Sequence, residues 1–309
     1  MARRVLVTGA TGLLGSACVA QLLEAGDRVL ALVRDRDPSS RLIRDGLLDR
    51  CVEVRGDLTE LPRVLAEHRP THLLHLAAQS QVPVANRSPL SSFESNVRGS
   101  WLLLEACRLA AEPLEGIVVA SSDKAYGSVP TPTPETTPLQ PTAPYDVSKA
   151  CTDLIARSYG VHFGLPVVVT RCGNLYGPGD ANEERLIPGT CELLRAGLAP
   201  ELRSTGGMSR EWLFVEDAAR ANVMLLDQGA LDPGSAWNVA GGEVATVLEV
   251  LTRLLAAAGS TLEPRIAPVD PPGEIRHQAL DHSRLAALGW RAEVGLDEGL
   301  ARTWAWHAG

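Results

Sequence analysis

The chain has 309 residues, 45% of them hydrophobic and 21% charged, with a net charge of −8. That length buries a substantial core and suits one globular unit with two lobes, and the composition is ordinary for a soluble enzyme. The acidic balance argues against nucleic acid or an anionic membrane as partner. Six cysteines (Cys18, Cys51, Cys107, Cys151, Cys172 and Cys191) are scattered with no C-x-x-C. They read as reduced thiols of a cytoplasmic protein, without a metal site or a disulfide framework. The opening MARRVLVTGATGLLG has no long apolar core, so neither a signal peptide nor a membrane span is expected.

Val5–Thr8 is a β-branched run followed by Gly9-Ala10-Thr11-Gly12-Leu13-Leu14-Gly15, and a helical pattern then runs to Glu24, with Gly26 as a stop. Strand, glycine loop and helix in that order is the context a dinucleotide fingerprint needs. Gly9 allows the tight turn, Gly12 lets the backbone approach a pyrophosphate, and Gly15 lets the helix pack close to the strand. With Thr11, Leu13 and Leu14 between them, these glycines form the candidate cofactor cradle. The spacing is G-x-x-G-x-x-G rather than G-x-G-x-x-G.

Arg28–Val33 reads as the second strand, ending Val33-Arg34-Asp35-Arg36. Asp35 there favours NAD, while Arg34 or Arg36 could pair with the 2′-phosphate of NADP, and both cofactors stay open. Cys51–Val54 is a third strand, ending Gly56-Asp57-Leu58; Asp57 either accepts from an adenine amino group or caps the next helix. Thr71–Leu76 is the fourth, ending HLAAQS. Leu76, Ala77 and Ala78 would let a cofactor lie flat against the strand end, with Ser80, Gln81 and Val82 facing the substrate. A long helix is expected from about Phe93 to Ala110, with Asn96 read first as its cap and second as a holder of backbone geometry.

The stretch from Ile117 to Lys149 begins IVVASSDKAYG and ends PYDVSKA. Ile117–Ala120 is of strand type, so Ser121, Ser122, Asp123 and Lys124 fall at its carboxyl end, where an open parallel sheet binds ligands. Pro144 opens a helix on which Tyr145 and Lys149 stack one turn apart. An ammonium there favours the phenolate, so Tyr145 reads as a base, and the Ser122 hydroxyl and Asp123 carboxyl complete a proton-transfer site. The chain has only two lysines, Lys124 and Lys149, and both lie in this stretch. Its other basic side chains are arginines, too basic to exchange protons with a substrate.

Pro166–Thr170 is the sixth strand. From Arg171-Cys172-Gly173-Asn174 onward the alternation fades, and Pro, Gly and Arg become frequent. The expected fold is α/β: a Rossmann-type, doubly wound parallel sheet over 1–172 and a smaller α+β substrate lobe over 173–309, with a segment near 212–240 returning to the sheet. Arg185, Arg203, Arg210 and Arg276 fall in loop or edge positions of this lobe. Converging on a cleft they would suit a diphosphate; the alternative for each is a solvated surface arginine. Asp217, after the run Trp212–Val215, reads as a backbone-fixing or capping residue.

Together, Gly9/Gly12/Gly15, HLAAQS, Ser122, Tyr145-x-x-x-Lys149 and RCGNLYGPGD resemble the extended short-chain dehydrogenase/reductase family, and more narrowly its nucleotide-sugar epimerases and dehydratases. The likeness runs on through RLIP at Arg185–Pro188, REWLFVED at Arg210–Asp217 and LGW at Leu288–Trp290, and the G-x-x-G-x-x-G spacing is the variant these enzymes carry. It implies a tightly held NAD(P), reduced and reoxidised within one turnover on a nucleotide-diphosphate sugar. Tyr145 would remove the sugar 4-hydroxyl proton, Lys149 would lower the Tyr145 pKa and hold the nicotinamide ribose, and Ser122 would bond the same oxygen. Asn174 would contact the phosphate region, and Arg210 and Arg276 resemble the diphosphate-binding arginines.

Subtype rests on Asp123-Lys124. The resemblance implies that a 4,6-dehydratase uses a base at Lys124 to remove the C5 proton and an acid at Asp123 to protonate the departing 6-hydroxyl. These dehydratases most often carry Asp-Glu here, and CDP-glucose dehydratases resemble this chain in carrying Asp-Lys, whereas 4-epimerases usually have small, inert residues. A dehydratase is therefore favoured over a 4-epimerase, with a non-catalytic NAD(P)-binding scaffold third. Helices near 93–110 and 145–160 resemble those that pair in the family's dimers, so a homodimer is expected.

Overall fold

Apolar β-branched runs separated by helical segments build the larger sheet. Its first six strands are β1 (Arg4–Thr8), β2 (Arg28–Val33), β3 (Val52–Arg55), β4 (His72–His75), β5 (Gly116–Ala120) and β6 (Val167–Cys172). Further along come β7 (Asn174–Tyr176), β8 (Glu201–Leu202), β9 (Ser209–Phe214), β10 (Ala236–Val239), β11 (Glu243–Thr246), β12 (Arg265–Ile266) and β13 (His277–Gln278). The longer helices are α1 (Leu13–Glu24), α2 (Leu61–His68), α3 (Gly99–Arg108), α4 (Pro144–Phe163), α5 (Leu186–Arg195), α6 (Val215–Leu225), α7 (Val247–Ala257) and α8 (Leu296–Ala308). This computed structural model describes residues 2–270 and 276–309.

Seven strands in the order β10-β6-β5-β4-β1-β2-β3 form one parallel sheet. Apart from the edge strand β3, its strands are largely buried on both faces, which is why most of them read as apolar runs. Val5 and Val7 of β1 turn into one core with α1 and α6, while Leu6 turns into the opposite core with α2 and α3. Strand order reverses between β1 and β4, which opens a crevice beyond their carboxyl ends, as open parallel sheets do at a switch point.

The region near 212–240 divides between two sheets. Ala236–Val239 pairs with β6 at the edge of the large sheet, whereas β9 joins a four-stranded sheet with β7, β11 and β13. That smaller sheet packs Tyr176, Trp212 and Phe214 against Ile187, Val250, Leu254 and Leu300 of α5, α7 and α8. Asp217, at 0% exposure, accepts hydrogen bonds from the Glu293 and Val294 amides at 3.1 and 3.0 Å, so it fixes backbone rather than capping.

The proline-rich segment between Gly127 and Pro144 is tied down from below by a buried guanidinium. Arg171 grips Asp153 with two bonds of 2.8 and 3.0 Å and donates to the Tyr126 hydroxyl at 2.8 Å and the Glu135 carbonyl at 3.0 Å. Such a pair offsets its desolvation only when its geometry is this complete. No helix among the described residues is long and apolar enough to cross a membrane.

Candidate active site

The glycine loop closes on itself. A Cβ on Gly15 would lie 1.9 Å from the Gly9 carbonyl oxygen, and one on Gly9, where φ is +72°, would lie 2.6 Å from the Ala77 nitrogen. Gly9 and Gly15 thus bring β1, α1 and the end of β4 to backbone contact. Gly12 differs, because its added Cβ would meet only the Gly9 oxygen, at 3.3 Å, and its outer side is open. Helix α1 begins there with no side-chain cap and no acidic residue in its first turn, so its leading amides, from Leu13 and Leu14 on, and its positive dipole end face the crevice. This cradle fits a pyrophosphate.

At the end of β2, Arg34 pairs with Asp35 at 2.6 Å, both exposed, while Arg36 is held by Glu53, its Nε at 2.9 Å. Of the two arginines that could have served a 2′-phosphate, Arg34 is thus engaged by Asp35 and Arg36 by Glu53. Asp57 takes the capping role: it accepts from the Thr59 amide at 2.8 Å and starts the short turn Leu58–Glu60. Leu76, Ala77 and Ala78 follow β4 half-buried, and the Ala77 amide donates to the Thr8 hydroxyl at 3.3 Å.

Ser122, Asp123, Lys124 and Tyr145 converge beyond β5. Ser122 donates to Asp123 Oδ1 at 2.9 Å, accepts from the Lys124 amide at 3.2 Å, and shares a hydrogen bond with the Tyr145 phenol. The Ser121 hydroxyl donates to the Lys149 carbonyl at 3.2 Å and fastens α4 to β5. Lys149 is buried, and its Nζ donates to the Ala120 carbonyl at 2.9 Å. Burial lowers its pKa to about 8.

One expectation is corrected here. Tyr145 is pushed above the usual phenol range, chiefly by burial and then by the Asp123 and Asp146 carboxylates, with Arg185 and the Ser122 hydroxyl pulling the other way. The Lys149 Nζ bonds the Ala120 carbonyl and is not among the groups that lower the phenol, so one helical turn of separation does not by itself yield a phenolate.

The smaller sheet supplies the opposite wall. Asn174 on β7 carries a buried Nδ2 with no hydrogen-bond partner among the described residues, an orphan donor of the kind a bound ligand satisfies. Arg210 and Arg276 come together across β9 and the start of β13, where Arg210 Nη1 donates to the Ser209 carbonyl at 2.9 Å and the Arg276 carbonyl at 3.4 Å. Arg185 is committed to Asp180, at 2.5 Å, and to the Leu175 carbonyl. Arg203 stands apart in an exposed pair with Glu184 at 2.9 Å. Ser80 and Gln81 are exposed beyond β4.

Two residues, Asp146 and Gln278, escaped the sequence reading of the site, and Asn96 takes the second of its two expected roles, holding backbone geometry. Asn96 does not cap a helix: it lies inside a π-helical turn, Phe93–Arg98, ahead of α3. It accepts from the Gln79 amide at 2.7 Å and donates to the Gln79 carbonyl at 3.0 Å and to Ser148 at 2.9 Å, clamping the strand end to α4. Asp146, next to Tyr145, faces Asp123 and Lys124. Gln278, on β13, accepts a hydrogen bond from Lys124 Nζ. Nothing local marks the last two.

Residues 5–240 match the NAD dependent epimerase/dehydratase family. A dTDP-glucose 4,6-dehydratase of Streptomyces antibioticus is 35% identical, the alignment covering 98% of this chain and 92% of that protein. The crystal structure of a dTDP-glucose 4,6-dehydratase from Streptomyces venezuelae with NAD bound superposes with a TM-score of 0.87 at 32% identity, covering 98% of this chain and 96% of that one. A UDP-glucose 4-epimerase of Thermus thermophilus, in complex with NAD, superposes with a TM-score of 0.86 at 36% identity over 99% of each chain. The glycine cradle, the Ser-Tyr-Lys cluster and these full-length likenesses agree: the chain belongs to the NAD dependent epimerase/dehydratase family, as an NAD-using enzyme of the extended short-chain dehydrogenase/reductase fold.

Proposed function

We propose that the chain is a nucleotide-sugar 4,6-dehydratase. The observation that carries this reading is the acid–base pair Asp123-Lys124 on the turn after β5, in contact with the same Ser122 that bonds Tyr145. Bound NAD supplies the hydride acceptor for the sugar C4 position and later returns the hydride. Gly9, Thr11, Gly12, Leu13, Leu14 and Gly15 would hold its pyrophosphate, Asp35 its adenosine end, and Ala77, Ala78, Tyr145 and Lys149 its nicotinamide end.

Tyr145 first passes its phenol proton through the Ser122 hydroxyl to the Asp123 carboxylate, and the phenolate so formed takes the proton of the sugar 4-hydroxyl. The 4-ketone then acidifies the C5–H bond. The Lys124 amine removes that proton, the C5–C6 double bond forms, and the C6–O bond breaks as Asp123 delivers its proton to the departing hydroxyl, which leaves as water. Asn174, Arg210 and Arg276 would bind the diphosphate, with Arg185 nearby and Ser80 and Gln81 along the sugar. The names of the relatives support a nucleoside-diphosphate hexose as the substrate class.

A 4-epimerase is the second reading, favoured by the comparably close superposition on a UDP-glucose 4-epimerase. In it the same Tyr145, Ser122 and Lys149 act, and Lys124 is a structural or substrate-contact cation. Incubation with a panel of nucleotide hexoses in deuterated water, read by mass spectrometry and proton NMR, separates the two. Loss of water with deuterium at C5 or C6 is the expected result. Unchanged mass, no deuterium and inverted coupling at C4 would replace it with the epimerase.

The proposal extends to organisation. Residues 1–172, with the returning strand Ala236–Val239, would form the dinucleotide-binding domain, and most of 173–309 the substrate lobe. The enzyme would act in the cytoplasm as a homodimer through α3 and α4, whose neighbouring surfaces expose Trp101, Leu154 and Val161.

A further inference from the structure

Lys124 is held from the far side of the crevice. Its Nζ donates to the side-chain oxygen of Gln278, which is 7% exposed. Gln278 is not a loose surface residue, since β13 pairs with β9 and the chain beyond it is fixed twice over. Leu280 donates its amide to buried Glu211 at 3.0 Å, and the Thr133 amide donates to the Ala279 carbonyl at 3.1 Å. A side chain on such a platform sets the direction of whatever it binds.

The chemistry of the acceptor matters as much as its place. A lysine that removes a proton must alternate between amine and ammonium. A carboxylate partner would stabilise the ammonium and hold the lysine in its inactive form. An amide oxygen accepts from an amine N–H and from an ammonium N–H alike, and adds no charge. The charged groups that face Lys124 are Asp123, on its own turn, and Asp146, on α4; Arg185, Glu211 and His282 lie beyond them. Gln278 completes that surround as its neutral member.

We infer that Gln278 is a positioning residue for Lys124, holding its nitrogen in the site through both protonation states without fixing it as the cation. This rests on the dehydratase reading, in which Lys124 removes the C5 proton.

The test compares the wild type with Q278E, which keeps the shape and acceptor but adds a charge, and Q278M, which removes the acceptor. Water loss from the nucleotide hexose that the wild type accepts is followed against pH, and nicotinamide reduction is followed separately by absorbance. In Q278E the ascending limb of the elimination profile moves up by about one pH unit, a loss of about tenfold below the limb that is recovered above it. Q278M slows elimination without moving the limb, and nicotinamide reduction stays as in the wild type. An unmoved limb in Q278E while the wild type eliminates, or wild-type elimination in Q278M, overturns the inference alone. No elimination by the wild type on any nucleotide hexose sinks the dehydratase reading, and the inference with it.

Discussion

Asp146 stands one residue past Tyr145, half-buried on the first turn of α4. Its carboxyl is pushed up from 3.8 to about 6, chiefly by burial, with Asp123 adding to the rise and Lys124 opposing it. A helix N-terminus ordinarily favours a carboxylate, so desolvation wins at this position. Between the two values the folded protein holds a proton that the unfolded chain has released. Stability therefore falls as pH rises through that window, and the loss is complete above it. Asp146→Asn should make the protein more stable than the wild type near pH 7 by about 1–2 kcal/mol after allowance for solvent screening, and no more stable near pH 4. Urea unfolding at both pH values checks this, and an equal difference at both would disprove the assigned burial cost. Tyr145, Lys149 and Ser122 were legible because their motif is local, four residues on a helix and one strand end. Asp146 and Gln278 were not, because what gives them meaning is Lys124, which reaches them only through the folded chain.

Among the elements, the strand–glycine–helix turn is the one whose geometry the sequence foretold most fully. The three glycines nevertheless differ in kind. Gly15 has no room for a methyl group against the Gly9 carbonyl, whereas Gly12 opens outward. Gly15→Ala should cost about 1–3 kcal/mol of stability and lower the melting temperature. Gly12→Ala should leave the melting temperature unchanged while weakening NAD binding. Paired thermal unfolding and NAD titration check both, and equal melting losses would mean that Gly12 is packed like its neighbour. The run from Phe93 to Ala110 shows the opposite outcome. Apolar periodicity announces a helix but does not register one turn widened to i→i+5, and the turn Phe93–Arg98 is where Asn96 gains the reach to hold Gln79 and Ser148 together.

At the scale of the whole molecule, the large sheet was readable from alternating strands and helices, while the smaller sheet was not. Its strands are short and its pairings cross long stretches of chain, as β9 with β13 and with β7. Assembly also belongs to this scale. Trp101 and Leu154 leave apolar surface on α3 and α4, which pack side by side. Light scattering at micromolar concentration should give twice the chain mass, and Leu154→Arg should return it to one; a monomeric wild type would exclude the pairing. The distribution of primary amines has its own outcome. Both ε-amines of the chain lie beside the candidate reacting groups, Lys149 buried and Lys124 bonded to Gln278, and every other cationic side chain at neutral pH is a guanidinium. A reductively alkylating reagent, which is selective for amines, thus meets no lysine on the outer surface. Apart from the α-amino group, whatever label the folded protein takes up is a label of the crevice, so incorporated reagent and lost turnover are two readings of one event.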